Sequence, residues 1–290
     1  MIVVKLRGGL GNQLFQYAFG RALSISRGVS LYFDISELGN ICEVTPRKYA
    51  LAPFCFPAEI ATEEMVTRVI TGRGKLEARL RARMPLRWRR VVGEQKEGFD
   101  QEFLKVGSTV LLSGYWQDER YFSSYGFQIR RDILHYCAFS KPVEELAQTI
   151  IPENAVSIHI RRGDYESDPV AAKRHGTISK CYYMNALSRI QEIIPSPRYY
   201  VFSDSIEWAK NNMAFDFPAI FVSNAFGQQD HEDLWLMSRC RHHIIANSTF
   251  SWWGAWLGEQ KDSVIVYPTR WFVNPIFENE GPAPGRWVKV

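Results

Sequence analysis

The sequence predicts an α/β protein of two domains, and three observations lead to this prediction. Short apolar runs alternate with segments of helical periodicity along most of the 290 residues, which is the pattern of β-α units that form parallel sheets. The length suits two domains of common size. Pro142 and Pro152 bracket a short helical stretch, and we expect the domains to meet there, as residues 1–140 and 141–290.

The N-terminal half is predicted to begin with a strand at Ile2–Arg7, a helix at Asn12–Arg27 and a second strand at Val29–Asp34. Apolar residues recur at helical spacing between the two strands. The other elements predicted in this half are a helix over Glu59–Arg83 that is interrupted at Gly72 and Gly74, a strand over Thr109–Tyr115 and a helix over Asp118–Leu134.

The C-terminal half is predicted to form a parallel, doubly wound sheet, because its apolar strands alternate with helices. After a connecting helix at 141–150, the predicted strands are 155–160, Tyr199–Ser203, Ala219–Val222, His242–Ala246 and Ser263–Tyr267. The helices between them are predicted at 179–194, 205–213, 230–239 and 248–258, and the tail from Pro268 is predicted to be irregular.

Positive charge is concentrated in residues 68–90, here called the basic segment. It holds nine Lys or Arg against one acid, Glu77, so its charge is +8 and the rest of the chain carries −4 of the net +4. Such a segment suits either a solvated helix or contact with an anionic membrane surface. No nucleic-acid-binding motif accompanies it, and we expect no nucleic-acid partner.

The cysteines and the N-terminus bear on location. The five cysteines are an odd number at wide spacing, without a Cys-x-x-Cys pair or a Cys/His cluster of zinc spacing. The N-terminus has no signal-peptide core, and no apolar run reaches the roughly 18 residues of a membrane span. We expect buried free thiols in a cytoplasmic protein, with peripheral contact to the inner face of the plasma membrane through the basic segment.

The most informative segment is His159-Ile160-Arg161-Arg162-Gly163-Asp164-Tyr165, which extends an apolar strand. Two guanidinium groups therefore lie where a parallel strand opens into a ligand crevice, and arginine binds phosphate oxygens bidentately. Strand alternation places His159 and Arg161 on one face, so we expect Arg161 to contact phosphate. Arg162 is either a second donor contact or an ion-pair partner of Asp164. The alternative for the whole segment is an ordinary charged turn.

The loop after the first strand carries Gly9-x-Gly11 and resembles a dinucleotide fingerprint. It has Leu14 at the third glycine position, which close helix–strand packing requires, so a nicotinamide oxidoreductase is disfavoured. The loop instead brings Gly11 and the amides of Asn12 and Gln13 to the start of a helix, where they can bond a sugar hydroxyl or a phosphate. Asn12 as a plain N-cap is the alternative.

Two further strand ends carry hydroxyl and carboxylate groups, at Ser203-Asp204 and at Asn247-Ser248-Thr249-Phe250-Ser251. The second begins a helix whose N-terminus suits an anion, and Phe250 can stack on a base. Asp233 is a candidate for a guanine edge or a ribose hydroxyl. For each the alternative is helix capping or an ordinary surface acid. With the arginines, these groups predict a nucleoside diphosphate site, and since no Asp-x-Asp pair ends a strand, we expect no metal there.

Four motifs occur in order along nearly the whole chain: Gly8-Gly9-Leu10-Gly11-Asn12-Gln13-Leu14-Phe15-Gln16-Tyr17, Gly114-Tyr115-Trp116-Gln117, the segment from His159 to Tyr165, and Asn247-Ser248-Thr249-Phe250-Ser251-Trp252-Trp253-Gly254. They resemble those of the bacterial α-1,2-fucosyltransferases of glycosyltransferase family 11. The resemblance implies a GT-B-like architecture of two Rossmann-like domains with a nucleotide-sugar cleft between them. It implies an N-terminal acceptor-side domain and a C-terminal domain that binds GDP-fucose.

The resemblance also implies transfer of L-fucose from GDP-β-L-fucose to the 2-hydroxyl of a terminal galactoside, with inversion and without an essential metal. It gives Arg161 the donor diphosphate. Related α-1,6- and protein O-fucosyltransferases share the His-x-Arg motif and the Ser-Thr-Phe element, which supports a phosphate role for Ser248, Thr249 and Phe250 and a base-binding role for Asp233. We expect the acceptor to be a galactose-terminated, lipid-linked glycan of an O-antigen or capsule.

For the reaction we expect a single displacement in which Arg161 stabilises the charge that grows on the β-phosphate. The general base is open among Asp164, Glu166 and Asp168, or Asn12 orients the acceptor hydroxyl without a strong base. The competing functions are fucosyl transfer to another hydroxyl, transfer of another GDP-sugar, and carbohydrate binding without catalysis. The last has no need for an arginine and hydroxyl anion site.

Overall fold

A computed structural model describes the chain at residues 1–39, 47–72, 74–94, 98–135, 139–151, 154–163, 172–173, 176–213, 215, 217–223, 225, 229–272 and 281–290, with the side chains of residues 75 and 78 excepted. The chain divides into two compact units, Met1–Cys137 and Ala138–Val290. Each unit contains one parallel sheet flanked by helices.

The sheet of the N-terminal unit has the strand order β3-β2-β1-β5-β4, and all its neighbours pair in parallel. Its strands are β1 (Ile2–Lys5), β2 (Leu31–Asp34), β3 (Ala58–Ile60), β4 (Val91–Gly93) and β5 (Val110–Ser113). The helices described in this unit are α1 (Leu10–Arg27), α2 (Glu63–Thr71), α3 (Lys75–Ala82) and α4 (Gly126–Leu134), with 3₁₀ turns at Leu86–Trp88, Gln101–Lys105, Glu119–Tyr121 and Ser123–Tyr125.

The sheet of the C-terminal unit has the order β11-β10-β9-β6-β7-β8 and is also parallel throughout. Its strands are β6 (Ala155–Ile160), β7 (Arg198–Ser203), β8 (Ala219–Phe221), β9 (His242–Ile244), β10 (Ile265–Tyr267) and β11 (Val288–Lys289). The helices described here are α5 (Lys141–Ile150), α6 (Lys180–Ile193), α7 (Ile206–Asn212), α8 (Asp230–Arg239) and α9 (Thr249–Gly258).

In each sheet the first strand lies inside the sheet, and the chain later crosses over to the other side of that strand. In the N-terminal unit β1 lies between β2 and β5, and in the C-terminal unit β6 lies between β7 and β9. Ligands of open parallel sheets bind outside the carboxyl ends of the strands at such a switch point. Each unit therefore has one edge at which a ligand site is expected.

The core of the C-terminal unit surrounds β6, every residue of which is buried. Helix α9 is buried along most of its length, including the rings of Trp252, Trp253 and Trp256. Core packing is thus the role of these three rings, and the indole N–H of Trp252 donates to the backbone oxygen of Pro282 at 2.9 Å. This rigid, apolar helix fixes the position of the Asn247–Ser251 turn at its N-terminus.

The predicted helix over Glu59–Arg83 was wrong at its start. Ala58–Ile60 forms strand β3 beside β2, and α2 begins after Thr62, whose hydroxyl accepts from the Met65 N–H at 3.2 Å. A β-strand of three residues is stabilised by its neighbour in the sheet, a contact that local helical periodicity does not reveal. The helix predicted over Asp118–Leu134 is α-helical only from Gly126, after two 3₁₀ turns.

Two short edge strands escaped prediction. Strand β4 pairs with β5, and β11, in the tail predicted to be irregular, pairs with β10. The expectation of buried free thiols was wrong in part, because Cys55 is disulfide-bonded and the free Cys181 is exposed. None of the described helices is long and apolar enough to cross a bilayer.

Candidate functional site

The sequence motifs of the C-terminal unit meet at its switch point. Arg161 follows β6 directly, and Asn247 and Ser248 follow β9, which is the next strand in the sheet. Asp204 follows β7 on the other side of β6. Because all three strands are parallel, their carboxyl ends lie at the same edge, and the predicted arginine, carboxylate and hydroxyl groups share that edge.

Asp204 fixes the backbone and side chain that follow β6. Its Oδ2 lies 3.1 Å from Nη1 of Arg161, and its Oδ1 accepts from the backbone N–H of Arg162 at 2.9 Å. A Cβ on Gly163 would lie only 2.5 Å from the same carboxylate, so the glycine permits this close approach. Arg161 keeps 23% of its side-chain surface exposed, and its guanidinium is held in place at the sheet edge.

Arg162 takes a different direction from Arg161. Its guanidinium carbon lies 3.6 Å from the ring centroid of Trp208 in α7, which is a cation–π contact. Trp208 was not among the residues predicted from the sequence, since nothing in the spacing of α7 distinguishes it from a core residue. The alternative partner for Arg162, Asp164, lies outside the described residues, as do Glu166 and Asp168.

His159 is a buried residue behind the arginines. Burial and, secondarily, the charge of Arg161 lower the pKa of His159 to about 3, so its imidazole is neutral near pH 7. The ring centroid lies 5.4 Å from that of Phe250, and the backbone oxygen of His159 accepts from the Tyr183 hydroxyl at 3.1 Å. A neutral, 3% exposed ring supports the strand end and does not supply a cation to a phosphate.

A hydrogen-bonded chain connects the ends of β7 and β8 to helix α8. The Ser223 hydroxyl accepts from the Ser203 N–H at 3.0 Å and donates to Asp233 Oδ2 at 2.5 Å. Ser203 is buried, and its own hydroxyl caps the next turn by accepting from the Ser205 N–H at 3.0 Å. Asp233 is thus positioned at the sheet edge through Ser223. Sequence reasoning missed Ser223, although its position just after an apolar strand gave a signal.

The turn from β9 into α9 contains both structural and accessible residues. Asn247 donates to the Trp271 oxygen at 3.1 Å, and the hydroxyl of Ser251 donates to the Ala246 oxygen at 3.2 Å. Both side chains are buried, so they shape the turn, and we do not assign them ligand contacts. Ser248 caps the helix by accepting from the Phe250 N–H at 3.3 Å. Thr249 and Phe250 are half-buried, and they form the exposed surface at the N-terminus of α9.

The switch point of the N-terminal unit carries the first two motifs. Helix α1 begins at Leu10 with Gly9 as its N-cap, so the plain N-cap reading of Asn12 is wrong. The Oδ1 of Asn12 instead accepts from the Gln117 side chain at 2.9 Å, which joins the ends of β1 and β5. Gly8 has φ +72°, and a Cβ there would overlap the Asn12 amide. The glycine therefore lets the loop fold over Asn12.

Gln13 and Gly11 are buried. The Gln13 amide nitrogen donates to the backbone oxygens of Gly8 and Lys48 at 2.8 Å each, and its oxygen accepts from the Ala50 N–H at 3.0 Å. Gln13 therefore holds two loops together and has no surface for a ligand. We assign it a structural role, in place of the donor contact that the sequence led us to expect.

A charged cluster lies next to this loop. Glu37 forms ion pairs with Lys5 at 3.1 Å and with Arg7 at 2.6 Å, and Arg7 also donates to the Ser113 hydroxyl at 2.9 Å. Burial opposes ionisation of Glu37, but the hydrogen bonds from Lys5 and Arg7 outweigh it and lower its pKa. A carboxylate of this kind is a weak base. The described part of the chain contains no cluster of three or more His, Cys, Asp or Glu side chains that would hold a metal.

Two parallel α/β units of this topology define a GT-B-like fold. The fold is similar to that of a solved Arabidopsis thaliana FUT1 mutant in complex with GDP, with a TM-score of 0.50 and 12% identity, over 92% of this chain and 70% of that one. The chain belongs to glycosyl transferase family 11, whose family profile matches residues 1–289. It is therefore a glycosyltransferase of that family.

Two curated relatives match this chain over nearly their whole length. The chain is 34% identical over 298 residues to an alpha-1,2-colitosyltransferase of Escherichia coli, over 100% of this chain and 99% of that protein. It is 33% identical over 301 residues to the O-antigen biosynthesis glycosyltransferase WbnK of Escherichia coli, over 92% and 93%. A more distant match is galactoside alpha-(1,2)-fucosyltransferase 2 of Mus musculus, 26% identical over 167 residues, about half of each protein.

Proposed function

We propose that this glycosyltransferase moves L-fucose from GDP-β-L-fucose to the 2-hydroxyl of a terminal galactoside, forming an α-1,2 linkage with inversion. The observation that carries the proposal is Arg161, fixed by Asp204 at the switch point of the C-terminal sheet. An arginine at such an edge, beside the first turn of α9, suits a nucleoside diphosphate. We assign donor binding to this unit and acceptor binding to the N-terminal unit.

Three relatives support the type of reaction. The names of two of them specify α-1,2 transfer, one of colitose and one of fucose to a galactoside, and a third names O-antigen biosynthesis. The similar FUT1 mutant was solved with GDP. These names support a GDP-sugar as donor and a surface polysaccharide, such as an O-antigen or capsule, as the product. They make a galactose-terminated glycan on a lipid carrier a suitable acceptor.

In the proposed reaction, the acceptor oxygen forms a bond to the anomeric carbon of fucose while the bond from that carbon to the β-phosphate oxygen breaks. The electron pair of the broken bond stays on GDP, so negative charge grows on the β-phosphate. Arg161 stabilises this charge more in the transition state than in the ground state, because the guanidinium is already held in position by Asp204. With arginine in this role, the reaction requires no metal.

Other residues have supporting roles in this proposal. Phe250 and Thr249 at the start of α9 contact the nucleotide, and Asp233, positioned through Ser223, accepts a hydrogen bond from the base or the ribose. On the acceptor side, the amide pair of Asn12 and Gln117 orients the galactoside. The proton of the acceptor hydroxyl goes to a carboxylate of the residues that follow Gly163, for which Asp164, Glu166 and Asp168 are the candidates.

A second candidate donor is GDP-colitose, and the 34% identity to a colitosyltransferase favours it. Colitose is L-fucose without the 3-hydroxyl, so the two donors differ in a single polar group. A site that bonds this hydroxyl rejects the deoxy sugar strongly, whereas a site that leaves it in solvent accepts both. The two donors must therefore be compared directly.

The test incubates the purified protein with either donor and with lactose, Gal-β1,3-GalNAc or Gal-β1,3-GlcNAc, in the presence and absence of EDTA. We expect an α-1,2-linked product from GDP-fucose, identified by linkage analysis, at the same rate with EDTA. A higher kcat/KM with GDP-colitose would identify GDP-colitose as the donor and would leave the proposed α-1,2 transfer unchanged. A product linked at another hydroxyl would refute the linkage, and failure to bind GDP would favour a carbohydrate-binding protein without catalysis.

A further inference from the structure

The basic segment exposes a row of large apolar side chains. Leu76 is 73% exposed, Leu80 60%, Met84 41% and Trp88 49%. They recur every four residues in sequence: Leu76 and Leu80 lie one turn apart in helix α3, and Met84 and Trp88 follow the end of that helix, Trp88 in the 3₁₀ turn at Leu86–Trp88. A surface helix normally turns such residues toward a core. Here no described side chain of α3 is buried, so the row faces solvent.

Positive side chains accompany this row. Arg79, Arg83 and Arg87 are exposed and follow the same four-residue spacing, and the Arg87 guanidinium carbon lies 5.4 Å from the ring centroid of Trp88. The single acid of the segment, Glu77, is paired with Arg81 at 2.6 Å. The surface formed by residues 76–88 is therefore both apolar and strongly positive, which a solvated helix does not require.

We infer that the surface formed by residues 76–88 binds the face of an anionic lipid bilayer. The charges attract acidic headgroups, while leucines, a methionine and an interfacial tryptophan enter the headgroup boundary, as in amphipathic helices that lie in the membrane plane. Neither contribution needs the donor or the acceptor, so this inference goes beyond the proposed function and is independent of it.

The same features disfavour other occupants. Two copies of the chain that met through this surface would bring together two segments of charge +8, and like charges across an interface are repulsive. Nucleic acid would engage the arginines but would leave Leu76 and Leu80 without an apolar partner. A bilayer with acidic headgroups satisfies both the charged and the apolar side chains.

The test measures sedimentation of the full chain with vesicles of phosphatidylcholine, with and without phosphatidylglycerol. We expect binding only to the acidic vesicles, and loss of binding at high salt because the headgroup attraction is screened. The charge variant Arg79→Gln/Arg83→Gln/Arg87→Gln should weaken binding about a hundredfold, or roughly fivefold for each charge removed. The apolar variant Leu80→Ser/Trp88→Ser should weaken it at least tenfold.

Matched controls come from exposed residues elsewhere. Lys141→Gln/Arg189→Gln/Lys210→Gln removes the same charge from residues of the C-terminal unit that are 46–85% exposed. Phe127→Ser removes an 81% exposed ring outside the surface. All variants should keep their circular dichroism spectrum and their activity on a soluble galactoside.

Two results would overturn the inference. One is equal loss of vesicle binding in the controls, which would mean unspecific attraction by net charge. The other is wild-type protein that does not bind acidic vesicles, and self-association or RNA binding that the 76–88 variants abolish would then identify the alternative occupant. Loss of vesicle binding with intact transfer supports the inference, whereas absence of transfer in the wild type concerns the proposed function alone.

Discussion

A single carboxylate, Asp204, organises three successive residues after β6. It pairs with Arg161, accepts from the Arg162 backbone and packs against Gly163. We propose that it positions Arg161 and does not itself bind the donor, since a carboxylate directed at the diphosphate would oppose binding. Residues 161–163 thus depend on a partner about 40 positions further along the chain.

Asp204→Asn tests this positioning role. The amide oxygen can still accept from the Arg162 N–H, but the ion pair with Arg161 is lost. We expect kcat to fall about tenfold or more because Arg161 is no longer preorganised, while the melting temperature changes little. Asp262→Asn, which weakens an exposed pair with Arg241 of 3.6 Å, is the control and should leave kcat unchanged. A purely structural Asp204 would instead lower the melting temperature and spare kcat.

Two substitutions of Arg161 distinguish the contribution of its charge from that of its planar geometry. Arg161→Ala should reduce kcat by about 10²–10³, the usual effect of losing one preorganised donor to a developing oxyanion. Arg161→Lys keeps the charge but lacks the planar fork and should recover only part of the rate. Arg189→Ala, at an exposed ion pair of α6, is the matched control. Near-normal turnover of Arg161→Ala would exclude the phosphate role, and calorimetric binding of GDP would show whether affinity falls with rate.

The sequence could indicate which residues stand at strand ends, but not the direction of each side chain. Arg161 and Asp204 were predicted at the ends of two parallel strands, and the structure brings them together at one sheet edge. Arg162 turns away from Arg161 because its guanidinium contacts Trp208. Gln13 is held in its buried position by backbone groups of residues 48 and 50. Such partners lie in distant segments of the chain, one in helix α7 and the others in a loop, so no local spacing encodes them.

Among the elements, long β-α periodicity was predictable and short paired strands were not. Strand β6 and helix α5 have the predicted bounds, because an apolar run and a proline at a helix start are strong local signals. Strands β3, β4 and β11 have only two or three residues. Their pairing energy comes from a neighbouring strand that is far away in sequence, which leaves little pattern to detect.

Gly20 lies where helix α1 packs closely against the sheet. The missing third glycine of the first motif argued against close packing of this helix on the sheet, yet close packing occurs six residues later. A Cβ on Gly20 would overlap Val4 Cγ2 and would lie 3.0 Å from Leu31 Cδ1. Gly→Ala within a helix usually stabilises by about 1 kcal/mol. Gly20→Ala should instead destabilise by about 1–3 kcal/mol, because β1 is central and cannot move aside.

The urea midpoint of unfolding measures this effect, and Val4→Ala provides the control. Removing the Val4 methyl groups makes room for the new Cβ, so the double variant should be more stable than the sum of the two single effects by about 1 kcal/mol. A Gly20→Ala protein more stable than the wild type would show that α1 does not approach the sheet this closely.

Across the whole molecule, the four family motifs fall at the two switch points. The first two meet through the bond between Asn12 and Gln117 at the ends of β1 and β5. The last two meet through the rings of His159 and Phe250 at the ends of β6 and β9. The order of the motifs along the chain therefore follows the order of the two parallel sheets, each of which has one edge at which a ligand site is expected.

Buried histidines make the stability of the C-terminal unit sensitive to acid. Burial is the main cause that lowers the pKa of His159 and His243 to about 3 and that of His242 to about 4. His242 accepts from the Val264 N–H at 3.1 Å and His243 bonds the Ser157 hydroxyl at 2.7 Å. The neutral ring is therefore the form built into the sheet around β9.

The sign of the pH dependence follows from these directions. An unfolded imidazole titrates near pH 6.5 and a folded one well below it, so unfolding takes up protons between these values. The free energy of unfolding should have its full value above about pH 7. It should fall by roughly 2 kcal/mol for each buried imidazole by pH 5. Urea unfolding at pH 5, 6 and 7.5 measures this fall, and His242→Asn, whose side-chain oxygen can accept from the Val264 N–H, should make it shallower by about a third. Equal urea midpoints at pH 5 and pH 7.5 would mean that these rings can be protonated in the folded protein. Strand β9 would then pack less tightly against β6 and β10 than the structure shows.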